Sequence, residues 1–210
     1  MHKPTTMKAL EELGRVRLSR HFFMREMLYS EIGNFHGIPN IPDDPDLAIA
    51  AGTKLCEEIL EPLHSTFGHV TIRSAFRSVT VNQFGVEHRD QGYSCGATEW
   101  NYGRHVWDHR DADGNMGATA CVIIPWFVER YDAGTPWQAM AWWVHDHLPY
   151  SHMLFYPTFA AFNVNWRENP LRSIDGMFDG KKCLTEPGTD NHGGDHSAEY
   201  PGFPALKRPS

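Results

Sequence analysis

Apolar residues recur at helical spacing most clearly in "DLAIAAGTKLCEEILEPLHSTFG", where Leu55, Ile59 and Leu63, joined by Cys56, Leu60 and Phe67, make one apolar face. This face predicts a helix over 47–67 that stops near Gly68. Upstream, "LSRHFFMREMLYSEIG" offers Ser19 as an N-cap before a turn or two of amphipathic helix, and "NFHGIPNIPDDP" then breaks the pattern with Gly37, Pro39, Pro42 and Pro45. Downstream, "HVTIRS" predicts a short strand with Val70 and Ile72 on one face, and "SVTVNQFG" a helical turn. "TACVIIP" reads as a buried strand, "PWQAMAWWVHDHLP" as a helix opened by Pro136, and "SHMLFYP" and "AAFNVNW" as two closing strands. From Gly85 to Gly117 the chain has no period and is rich in Gly, Asp, His, Tyr and Trp, which predicts a long ordered loop or a functional insertion. Beyond Pro170 it turns polar and Gly/Pro-rich, a tail or a wrapping arm. The segment order predicts an α+β fold, a small and mainly antiparallel sheet packed by the helices of 47–67 and 137–147. The predicted division is an extension at 1–17, one domain at 18–170 carrying an inserted loop around 85–117, and a tail at 171–210.

Composition narrows the partners. The 210 residues are 41% hydrophobic and 12% aromatic, enough for one domain with a real core. A net charge of -7 gives no overall basic field for nucleic acid, although it leaves room for a local basic patch. No apolar run approaches the roughly 20 residues that span a bilayer, and the first residues lack the apolar core of a secretory signal. A soluble chain made in the cytoplasm is therefore expected. Cys56, Cys95, Cys121 and Cys183 are too widely spaced for a zinc knuckle, and most of them are expected to be small buried hydrophobes.

The 13 histidines and 7 tryptophans raise the question of a metal or a polar aromatic cleft. "GRHVWDHRDADGNMGATACVIIP" gathers the densest set of candidates. "DADGN" matches the opening of a calcium loop, but Met116 stands where the turn glycine is needed and Val122 where the bidentate carboxylate belongs. A hydrogen-bonded Asp/Gly turn is the other reading. His105 with Asp108, Asp111 or Asp113 supplies imidazole and carboxylate suited to zinc, with His145, His147 or His152 as a third ligand. His145 and His147 lie two apart on a predicted helix and do not face each other. In "NHGGDH", the glycines between His192 and His196 predict a flexible segment rather than a helical pair. No phosphate-binding Gly-rich loop and no Gly-x-Ser-x-Gly elbow is present.

The order of segments over Leu18 to Pro170 resembles the zinc D-alanyl-D-alanine carboxypeptidase family, peptidoglycan peptidases that share a fold with the Hedgehog signalling domain. "GIPNIP" resembles the family's Asn-x-Pro turn. "VTIRSAFRSVTVN" resembles its strand and Ser-Gly-Tyr-Arg-Ser turn, with Ser74, Arg77, Ser78 and Asn82 in the matching places, Ala75 for Gly and Phe76 for Tyr. The family's zinc-binding His and Asp have no clean counterpart. Anchored on the "GATACVII" strand, Gly114 takes the His place and Cys121 the Asp place; anchored on His105, Ala112 takes the Asp place between Asp111 and Asp113. In the closing hairpin, Tyr156 replaces the catalytic Glu and Asn163 the last zinc-binding His.

Neutral amide oxygen is a poor zinc donor, and a tyrosine is no carboxylate base near neutral pH. The resemblance therefore implies a degenerate, non-catalytic domain of the Hedgehog/DD-peptidase type, with no cofactor. Its old groove would bind peptidoglycan peptides or serve assembly, through Arg77, Ser74 and Asn82 and the aromatics Trp107, Tyr156, Phe162 and Trp166. Family members in lysis cassettes and virions imply a phage-like setting, with action at the cell wall or in a virion. The alternative is an active zinc peptidase with a rearranged site, using His105, Asp111 or Asp113 and one of the later histidines. A third reading is a structural virion component without a ligand. Arg77 is expected to be buried at the groove and paired to a carboxylate or to backbone carbonyls.

Overall fold

The computed structural model describes residues 1–208. Eight α-helices and one six-stranded sheet are present among them. The helices are α1 (Met7–Gly14), α2 (Met24–Met27), α3 (Glu31–His36), α4 (Pro45–Leu55), α5 (Glu61–Phe67), α6 (Val79–Glu87), α7 (Pro125–Asp132) and α8 (Trp137–His147). The strands are β1 (Thr71–Ser74), β2 (Gly117–Ile123), β3 (His152–Phe155), β4 (Phe162–Arg167), β5 (Ser173–Met177) and β6 (Lys181–Thr185), in the spatial order β1-β2-β4-β3-β5-β6. Every pairing is antiparallel except β3 with β5. The mainly antiparallel α+β expectation holds at this level.

The predicted long helix exists and starts two residues earlier than its apolar face. The Asp44 side chain accepts from the Leu47 amide and Pro45 fills the first turn, where its missing N–H loses nothing. A π-helical segment, Cys56–Leu60, joins α4 to α5, and Gly68 closes the helix in a φ of 87°. Leu55, Cys56, Ile59, Leu60 and Leu63 are fully buried. They meet the side of the sheet that carries Ala118, Ala120 and Val122 of β2 and Phe162, Val164 and Trp166 of β4. The Trp143 ring of α8 packs edge-on against Phe67 at 4.5 Å, and Trp137 lies 5.0 Å from Phe155.

Two expectations need correction. Ser19 caps nothing; its hydroxyl donates to Glu61, and α2 starts only after Phe23. The turn at "SVTVNQFG" is a full helix, α6, capped by the Ser78 hydroxyl. Between β2 and α8 the chain adds a further helix, α7, opened by Pro125 and burying Phe127 in the core. Most of the cysteines are buried as expected, Cys56, Cys95 and Cys121, while Cys183 is exposed on an edge strand.

Within the predicted tail, residues 171–208 are more than a tail, because β5 and β6 complete the sheet. The rest is a wrapping arm that docks with few apolar side chains. Tyr200, Phe203 and Leu206 pack on the core, Trp143 Nε1 donates to the Pro204 carbonyl at 3.0 Å, and the Lys207 amide donates to Thr66 Oγ1 at 2.9 Å. His196 fastens it to α8 by stacking on Trp142 at 4.1 Å, with Nδ1 2.7 Å from Asp146 Oδ1 and Nε2 3.0 Å from the Asn191 carbonyl. Both partners only accept, so both ring nitrogens carry protons and the ring is an imidazolium. Burial opposes that charge, but the bonds to Asp146 and Asn191 outweigh it and raise the His196 pKa above 6.5. A raised pKa means that this contribution is complete below about 6.5 and is lost as pH rises through the folded-state value. Hydrogen exchange at the Phe203 and Lys207 amides should accelerate more between pH 6 and 8.5 than the intrinsic rate, and His196→Ala should abolish that excess.

Candidate functional site

A cavity of about 940 Å³ opens on the other face of the sheet. Strand alternation decides its floor. Ser74, Cys121 and Asn163 are register partners across β1, β2 and β4, and Thr119, His152 and Leu154 project to the same side. Arg73 faces the cavity opposite the core-facing Ile72, and a bulge between Ile72 and Ser74 turns Ser74 to the same side. α3 and the 92–105 segment form the walls. At the mouth stand the exposed aromatics Tyr29, Phe35 and Trp100.

Local sequence holds this shape. Asn40 of the Asn-x-Pro turn donates to the Leu28 and Phe76 carbonyls, both at 3.0 Å, and accepts from the Ser78 amide at 2.7 Å. That clamp fixes the 76–78 turn and with it Arg77. The loop of 85–117 is tied down by the Arg77 amide on the His105 carbonyl at 2.8 Å and by His105 Nδ1 against the Ala75 carbonyl at 2.9 Å. Asn82 is fully buried and orients Arg77 through its amide oxygen at 3.2 Å, so it is a positioning residue rather than a ligand contact.

The predicted residues fall into two groups. Arg77, Ser74, His105, Cys121, Tyr156 and Asn163 come together around the cavity. Asn163 Nδ2 donates to the Tyr156 hydroxyl at 3.1 Å. Trp107, Phe162 and Trp166 do not belong. Phe162 and Trp166 share the helix side of β4 because they are odd-numbered steps from Asn163. Trp166 Nε1 donates to Glu58 Oε2 at 2.7 Å, and Trp107 is sealed in the core with its Nε1 on the Thr119 carbonyl at 3.2 Å. Arg77 is half-buried and meets Asn82 and the Cys95 thiol, each at 3.2 Å, in place of the expected carboxylate or carbonyls.

The zinc set His105, Asp111 and Asp113 is not assembled. Asp111 accepts from the amides of Asp113 and Asn115, both at 2.9 Å, and pairs with Arg167, so "DADGN" is a hydrogen-bonded turn. Asp113 is exposed. Asp108 accepts from the Asp43 amide at 2.6 Å. Of the later histidines, His145 and His147 lie on α8, and His152 lines the cavity 2.9 Å from Asp175. Among the described residues, the triads of metal-competent side chains are His21, Glu61 and His64, and His145, Asp146 and His196; none lines the cavity.

The cavity's chemistry is cationic and short of bases. Arg73, Arg77 and Arg104 face it with Lys181, which pairs with Asp175 at 3.0 Å, and Glu31 adds a carboxylate to the lining. Among the described residues these guanidiniums form no ion pair. Arg104 stacks on Trp100 at 4.1 Å. Burial, with Arg167 nearby, lowers its pKa to about 10, which keeps it charged at neutral pH. Burial and then Arg77 press His105 down to about 3, so it is neutral. Burial lifts Tyr156 to about 12 and Cys121 to about 11, against the pull of Arg73 and Arg77, leaving both protonated. Arg73, Arg104, Tyr29, Phe35 and Trp100 escaped the sequence reading. The usable signal was the alternation of "TIRS", which sets Arg73 opposite the core-facing Ile72.

No family model, curated protein or solved structure matches the chain.

Proposed function

We propose that this cavity binds the carboxylate end of a peptide and that the domain is a degenerate member of the Hedgehog/DD-peptidase type, with a peptidoglycan stem peptide as the ligand class. The observation that carries the reading is the grouping of Arg73, Arg77 and Arg104 without ion-pair partners around the Tyr156–Asn163 pair. Guanidiniums in a half-buried site favour carboxylates because their forked donors match two oxygens at once. The exposed aromatics at the mouth offer apolar area to the rest of the peptide. Hydrolysis through zinc has no donor set there, since an amide, a phenol and a protonated thiol replace imidazole and carboxylates.

Calorimetric titration with a D-Ala-D-Ala-terminated peptide and with its C-terminal amide tests this directly. The acid should bind and the amide should bind at least about 10-fold more weakly, the loss of one charge-assisted contact. Arg104→Ala should weaken the acid alone by a similar factor. Equal affinity for acid and amide, or no binding of either, would refute the proposal, and chelator-sensitive turnover of the acid would convert the binding site into an active one.

A further inference from the structure

A second place in the fold gathers metal-competent side chains, well separated in lining from the cavity. Glu61 and His64 lie three apart on α5, so they project from one helix face. They directly follow the π-helical segment Cys56–Leu60, a helix irregularity that accompanies functional sites more often than ordinary helix does. The bend before α2 brings His21 to them. Ser19 Oγ and the His21 amide both donate to Glu61 Oε1 at 2.7 Å, and His21 Nδ1 lies 2.7 Å from Glu61 Oε2. The rings of His21 and His64 stack with centroids 4.2 Å apart. One donor atom from each of the three residues lies within 4.8 Å of the others.

We propose that His21, Glu61 and His64 bind one divalent transition-metal ion of the zinc class and so clasp the segment before α2 to α5. Two imidazoles and one carboxylate form a donor set suited to zinc, with a position left for water. Ligands about 2.0–2.1 Å from a tetrahedral ion lie roughly 3.3 Å apart, so the three donors need to close by an ångström or so. Only the two histidines need to move. His21 is exposed and His64 half-exposed, whereas Glu61 is only 2% exposed and already fixed by its hydrogen bonds.

The competing triad is occupied. His145 uses Nδ1 on the Tyr150 hydroxyl at 2.6 Å and Nε2 on the His192 carbonyl at 2.9 Å, and His196 uses both nitrogens on Asp146 and Asn191. An ion there would have to break these bonds. By contrast, neither ring nitrogen of His64 has a hydrogen bond among the described residues, and His21 has only the one to Glu61.

The test uses the full chain without a histidine tag, stripped with a chelator and titrated with zinc and with cobalt(II) at pH 7.5. The expected result is one ion per chain, a cobalt d–d absorption band, and a melting temperature that rises with metal concentration. His64→Ala and the milder His64→Gln should each weaken zinc binding by about 10-fold or more, with unchanged circular dichroism, while His196→Ala leaves it intact. Binding should fade toward pH 5 as protons compete for the imidazoles. Absence of saturable binding, full affinity in both His64 variants, or loss of binding in His196→Ala would each overturn the proposal.

Discussion

Replacement of Trp107 by alanine should lower the unfolding free energy by about 3–5 kcal/mol, the range for emptying a large aromatic site in a core. The indole is fully buried. It lies on α4 so closely that a Cβ added at Gly52 would stand 2.7 Å from its ring, and Phe76 meets it edge-on at 6.1 Å. Its Nε1 is bonded to the Thr119 carbonyl, so truncation also leaves a buried acceptor without a partner. The tryptophan thus pins the long 85–117 loop onto the helix layer. Urea denaturation followed by circular dichroism measures the effect. A loss below about 1 kcal/mol would mean that the loop does not depend on this anchor. Gly52→Val should be destabilising for the same reason from the opposite side of the contact.

The fold was legible where one period dominated. The 47–67 face, Gly68 as the stop, Pro136 as the start of α8 and the paired runs of β3 and β4 all follow from local pattern, because burial on one face dictates the spacing of apolar residues. β5 and β6 were hidden for a physical reason. β6 is an edge strand, "KKCLT", whose two lysines are exposed, so no apolar alternation marks it. Its turn did carry a signal. Asp179 and Gly180 adopt φ of 53° and 94°, the positive values that Asp-Gly favours in tight hairpins. The parallel pairing of β3 with β5 joins segments separated by β4, and no local pattern encodes such a contact.

The candidate site divides in the same way. Ser74, Arg77, Cys121, Tyr156 and Asn163 lie around one cavity, whereas the aromatic wall failed on parity. Trp166 lies three residues from Asn163 on the same strand, so the two side chains face opposite sides of the sheet. That error was avoidable from sequence. Arg104 was not, since it reaches the cavity from a loop whose path depends on Trp107 and on the Asn165 amide bonded to the Gly103 carbonyl. The Asp111 turn misled because Asp-x-Asp-Gly serves both cation loops and hydrogen-bonded turns, and the deciding partner, Arg167, is 56 positions away in sequence.

Acid should expose the other large effect, through His105. The ring is buried in the cavity wall, and its Nδ1 faces the Ala75 carbonyl, an acceptor, so that nitrogen keeps the proton and Nε2 stays bare. Burial first, then the charges of Arg77 and Arg104, set its pKa at about 3, against about 6.5 for an unfolded chain. Between those values the unfolded chain holds the extra proton. The stability contribution is therefore present above pH 6.5 and is lost as pH falls, with a limiting slope of about 1.4 kcal/mol per pH unit. Glu61 and Asp175, both held below the ordinary carboxylate range, add losses of the same sign in acid. The informative quantity is accordingly the difference between the wild type and His105→Gln, whose amide N–H can still meet Ala75. Unfolding free energy measured from pH 7.5 to 4 should fall more steeply in the wild type by about 1 kcal/mol per pH unit, and equal slopes would remove His105 from the account. A bound carboxylate would neutralise part of the field of Arg77 and Arg104 and raise the His105 pKa. By linkage the acid peptide should then bind more tightly to the wild type as pH falls toward that raised value, but not to His105→Gln.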